Sequence, residues 1–132
     1  MRIEFRIVPH TKQRYDTVGD YYPQRGALWI KVSDLKDRRY IILVFLHELI
    51  EYLLCRLARV KARDIDLFDR TYEQTRGQGV APCGCQHHDE PGDDEHAPYH
   101  RQHLCASGCE VLIAKTLEVD WAKYERAVET VA

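Results

Sequence analysis

The sequence is short of almost everything that would mark a membrane, secreted or nucleic-acid-binding protein. It has no apolar run of about 18 residues free of charge, so a membrane-spanning helix is not expected. Its opening, MRIEFRIVPH, alternates charges and has no apolar stretch of signal-peptide length. Basic residues are not in excess, with 19 Lys and Arg against 21 Asp and Glu and a net charge of -2, so no nucleic-acid partner is expected. The five cysteines are an odd number without a secreted disulfide spacing, which favours thiols or metal ligands in a reducing compartment. Neither a Gly-rich phosphate loop nor a serine in a nucleophile elbow is present. Internal repeats and low-complexity tracts are missing too. A chain of 132 residues, 45% of them hydrophobic, is the size of one domain with a real core, 1–132.

What is present is an apolar helix with chemistry in its middle. The stretch Arg39 to Leu57, RYIILVFLHELIEYLLCRL, contains His47-Glu48-Leu49-Ile50-Glu51. Helical spacing sets His47 and Glu51 on one face, one turn apart, with Glu48 beside them. Apolar residues nearly encircle this helix, as in a buried helix at the centre of a core. Ionisable groups buried there need partners, because an unpaired buried charge costs several kcal/mol or more. Either a divalent metal or a buried hydrogen-bond network would neutralise them.

The rest of the chain reads as two strands and three more helices. Ile3, Phe5 and Ile7 alternate with charged residues, giving a strand over 2–8, and Leu28, Ile30 and Val32 give a second over 27–33. The polar connection between them is long for a tight hairpin, which suits antiparallel pairing around a wide loop; an exposed edge of the pair could hold an extended substrate. Ser33 or Asp34 can cap the central helix, about 36–60. Further helices follow at about 64–75, 99–117 (with Leu104, Val111, Leu112 and Leu117 packing) and 121–131, the last capped by Asp120 and striped by Trp121, Tyr124 and Val128. A long loop fills 77–98. The expected class is α+β, two N-terminal strands packed on about four helices around the central one, a minimal zincin-like arrangement.

The zinc-protease helix has two His ligands at i and i+4 with a Glu general base between them. Here Glu51 replaces the second His, and a carboxylate also ligates zinc or a harder divalent ion. In this reading His47 and Glu51 bind metal together with a third ligand, and Glu48 takes a proton from water in a hydrolase or peptidase. Asp69, with Asp66 one turn away, or His103, joined by its face-mate Glu110, can supply that ligand. A second zinc site from Cys83, Cys85, Cys105 and Cys109, near His87 and His88, is a further option, although Cys-x-Cys is not the usual chelating turn. The acidic run Asp89, Glu90, Asp93, Asp94 and Glu95 reads as a solvated segment. Cys55 reads as a core residue.

The ordered set PHTKQRYDTVGDYY, VSDLKDRRYIILVFLHELIEYLLC, DIDLFD, DEPGDDEHAPYHRQH and LEVDWAKYE resembles a family of small uncharacterised proteins encoded by tailed bacteriophages and prophages. The resemblance covers most of the chain. The family pattern of HELxE, an acid-Phe-Asp segment, a Pro-Gly-Asp loop and a His-bearing helix falls on His47, Glu48 and Glu51, on Phe68 and Asp69, on Pro91, Gly92 and Asp93, and on His103. The Cys-Gly-Cys insertion within 82–86 departs from it. The resemblance implies a phage-derived protein of the bacterial cytoplasm and no particular activity. The alternative to a metallohydrolase is therefore a non-enzymatic accessory or interaction protein with a structural metal site or a buried polar network.

Overall fold

The computed structural model describes residues 1–75 and 90–131. It has the α+β architecture expected, a three-stranded sheet and four helices. The strands are β1 (Arg2–Val8), β2 (Gly19–Gln24) and β3 (Ala27–Ser33), and the helices α1 (Arg38–Leu57), α2 (Ala62–Thr75), α3 (His100–Thr116) and α4 (Trp121–Val131).

The sheet order is β1-β3-β2. β2 occupies part of what the sequence pattern leaves as connection: it pairs antiparallel with β3 through a two-residue turn at Arg25 and Gly26, both at positive φ. The intervening strand leaves β1 parallel to β3, not antiparallel as the long connection suggests. β2 holds a glycine and a proline and is an edge strand, the position where a missing backbone donor is tolerated.

Central β3 supplies the sheet's share of the core through Leu28, Ile30 and Val32, which meet Ile41, Leu43, Val44 and Tyr52 of α1. On β1 only Phe5 reaches inward, its ring centroid 4.5 Å from that of Phe45, while Ile3 and Ile7 are exposed. His10 clips the β1–β2 connection to the end of β3: Nδ1 lies 2.9 Å from Ser33 Oγ and Nε2 2.9 Å from Asp16 Oδ1. Ser33 is fully buried, so this Ser-His-Asp arrangement is a fastening and presents no nucleophile.

Asp37, not Ser33 or Asp34, caps α1 by accepting from the Arg39 amide. Ser33 is spent in β3, and Asp34 accepts from the Lys36 amide instead. α1 is less enclosed than its composition suggests, with Ile42, Leu53 and Leu57 exposed on the side away from the sheet. α3 packs on α1 with a polar face inward: His103, Ala106 and Ala114 are buried, whereas Leu104, Val111 and Leu112 are exposed. The alanines permit close approach and the buried His103 faces α1, so here the polar position overrides the apolar pattern. Asp120 caps α4 as expected, by accepting from the Lys123 amide, and Tyr124 anchors that helix in the core.

Candidate metal centre

α1 supplies two buried donors and α3 the third. His47 and Glu51, one turn apart, and His103 are 8%, 4% and 6% exposed, and this group could hold a metal ion. The facing atoms form a small triangle: His47 Nε2 to Glu51 Oε2 3.3 Å, His103 Nδ1 to Glu51 Oε2 2.9 Å, and His47 Nε2 to His103 Nδ1 3.2 Å. A tetrahedral ion with bonds of about 2.0–2.1 Å sets its ligand atoms about 3.3–3.4 Å apart, so the triangle needs to open by only a few tenths of an ångström.

The far nitrogen of each imidazole rests on a carboxylate. His47 Nδ1 lies 2.8 Å from Glu110 Oε1, and Glu110 also accepts from the Tyr124 hydroxyl at 2.5 Å. His103 Nε2 lies 3.2 Å from Asp93 Oδ1. In the neutral tautomers these carboxylates select, both inward nitrogens present lone pairs beside an anionic oxygen. Three acceptors converging on one point require a cation there. Without a metal, protons meet the demand. Burial by itself lowers the His47 pKa, but Glu110 and Glu51 outweigh it and hold the ring well above its ordinary range. Burial likewise opposes charge on His103, yet Asp93 and Glu51 raise it to about 10. For Glu51 burial favours the neutral acid, and the two histidines overcome this and hold it at about 2.

Glu48 is partly buried beside the triangle and has no hydrogen-bond or ion-pair partner among the described residues. Burial, then the charge of Glu51, push its carboxyl well above the usual range. β2 comes so close that a Cβ on Gly19 would collide with Glu48 Oε1 and with a methyl group of Val44.

Of the other candidate ligands, Asp69 lies in the narrower of two clefts that meet at the site, where it accepts from the Tyr99 hydroxyl at 2.6 Å; burial raises it to about 7 against that hydrogen bond. It is not part of the triangle. Asp66 is engaged by Arg14, 3.4 Å away. Glu110 meets the far nitrogen of His47 and is not part of the triangle. Cys83, Cys85, His87 and His88 lie outside the described residues; Cys105 is exposed and Cys109 partly so, both away from His103, and Cys55 is buried as expected.

The acidic run holds what sequence reasoning missed. Glu90 borders both clefts, with burial raising it to about 7 against the opposing charge of His103. Asp93 holds His103, and Asp94 is fully buried. Gly92 lies flat against the imidazole, where a Cβ would collide with His103 Cγ and Nδ1. The signal available was the Pro91-Gly92-Asp93 turn within the resemblance.

No protein-family model, curated protein or solved structure matches the chain. Among the described residues, no helix is long and apolar enough to cross a membrane.

Proposed function

We propose that the protein is a zinc-dependent hydrolase acting on peptide bonds, with His47, Glu51 and His103 as metal ligands and Glu48 as general base. The observation that carries this reading is the convergence of two imidazole nitrogens and a carboxylate oxygen within 2.9–3.3 Å of one another. Two nitrogens and one oxygen suit zinc, and three protein ligands are the usual number in catalytic zinc sites. A bound divalent cation supplies Lewis acidity toward a substrate carbonyl and makes water easier to deprotonate. Glu48, whose side chain is unpartnered among the described residues and which a bound cation would favour as the carboxylate, accepts the proton of the attacking water and returns it to the leaving nitrogen. The acyl carbon thereby gains the oxygen as the C–N bond breaks and the amine departs. β2, an edge strand touching Glu48 through Gly19, is where an extended peptide would lie. The resemblance to phage-encoded proteins supports action in the cytoplasm of a bacterial host.

Metal analysis and Glu48→Gln test this together. Purified protein should carry about one equivalent of zinc, and Glu48→Gln should keep it while losing cleavage of a peptide panel. Less than about 0.2 equivalents after zinc-replete purification would remove the metal from the proposal. The second reading is a non-enzymatic accessory protein with a structural metal or a protonated network. It is favoured by the fact that protons alone can satisfy the cluster, and it requires no activity against the panel even when the protein is fully loaded with metal.

A further inference from the structure

The wider cleft at the site is far more acidic than the chain. Among the described residues its lining includes seven carboxylates and no Lys or Arg, in a protein whose net charge is only -2. Asp16, Asp93 and Glu110 are taken up by His10, His103 and His47. The side chains of Glu48, Glu90, Glu125 and Glu129 have no hydrogen-bond or ion-pair partner among the described residues. They are not scattered. Glu48 and Glu90 border the ligand triangle, whereas Glu125 and Glu129 lie one turn apart on α4, on the face that also turns Trp121 and Val128 into the cleft.

That combination fits one kind of side chain. An aliphatic stem can cover Trp121 and Val128 while its cationic end reaches the carboxylates of Glu125 and Glu129, as lysine and arginine do when their stems are buried and their charges are not. Two of the triangle's three members, His47 and His103, line the same cleft, so a side chain held by α4 lies beside the proposed metal site. A carboxylate-lined concavity also focuses its field and draws in cations.

We propose that this cleft selects a peptide segment bearing lysine or arginine close to the bond over the triangle, with Glu125 and Glu129 as the residues that confer the preference. The inference rests on the hydrolase reading for the position of that bond, but not for the binding of the cationic side chain.

Two measurements on the zinc-loaded full chain keep the two readings apart. In the first, fluorescent peptides differing at one position, Lys or Arg against Glu or norleucine, are titrated onto Glu48→Gln protein. The cationic peptides should bind at least about tenfold tighter at low salt, weakening as salt rises. Glu125→Gln/Glu129→Gln, two exposed changes on α4, should reduce that ratio to about twofold, an effect that loss of two nearby charges can account for. Equal binding of all four peptides, or an unchanged ratio in the double variant, overturns the proposal. In the second, wild-type protein is tested for cleavage of the same peptides. Binding preference without cleavage sustains the cation-selecting cleft and defeats the hydrolase, whereas cleavage without preference does the reverse.

Discussion

His47 and His103 face each other through nitrogens 3.2 Å apart, Nε2 to Nδ1, while each ring turns its other nitrogen to a carboxylate. As neutral rings, with their protons on the outer nitrogens, both turn a lone pair inward. The pair is a receptor for positive charge.

The Glu110 carboxylate should matter to the metal without touching it. Glu110→Ala is expected to weaken zinc binding by about 10–100-fold, the usual cost of losing such an outer partner, with Glu110→Gln recovering part of it. Competition titration against a zinc chelator reads this, and unchanged affinity in Glu110→Ala would contradict the orienting role.

His103 and Asp69 should separate cleanly. His103→Ala is expected to lose stoichiometric zinc, while Asp69→Asn keeps it, because Asp69 serves Tyr99. Metal analysis of the two purified variants checks this, and the opposite result would make Asp69 the third ligand.

Gly92 and Gly108 should respond oppositely to alanine. Gly92→Ala forces a Cβ into the His103 ring and should cost about 1–3 kcal/mol together with zinc affinity. Gly108 lies within α3, with nothing within 4 Å of its Cβ position, so alanine there should stabilise by about 0.5–1 kcal/mol. Denaturant unfolding of both variants tests the pair.

Zinc should oppose the loss of stability with rising pH. In metal-free protein His103 is raised to about 10, above the roughly 6.5 of an unfolded histidine. Between those values the folded state holds a proton that the unfolded chain has lost. Its stabilisation is complete below about 6.5 and is lost as pH rises toward 10, by up to about 1.4 kcal/mol per unit for each such group. Zinc needs the neutral ring, so its stabilisation grows with pH. Melting temperatures over pH 6.5 to 9 should fall in chelator and fall less, or rise, with zinc.

Much of the site is legible in the sequence because it is local. His47 and Glu51 lie on one helix face by spacing alone, and the same arithmetic pairs His103 with Glu110, although His103 joins the triangle and Glu110 meets the far side of His47. The alternation of Leu28, Ile30 and Val32 marks β3 for the same reason. β2 is hidden because its residues answer to neighbours instead of a period: Gly19 is small to admit Glu48, and Pro23 is tolerated because the strand is an edge. The outward turn of Leu104 and Leu112 is hidden because inward-facing His103 fixes the rotation of α3. Nor does charge composition distinguish Asp94, which is fully buried, from Glu95, which is exposed.

The triangle also sets an order of events. His47 and Glu51 are four residues apart, but His103 lies 52 residues beyond Glu51. A nascent or transiently opened chain therefore offers only a two-point grip, and the tight site exists only once α3 has docked on α1. An ion held by all three donors acts mainly after the folding barrier is crossed. It should lengthen the lifetime of the native state by slowing its unfolding while leaving the rate of folding nearly as it was.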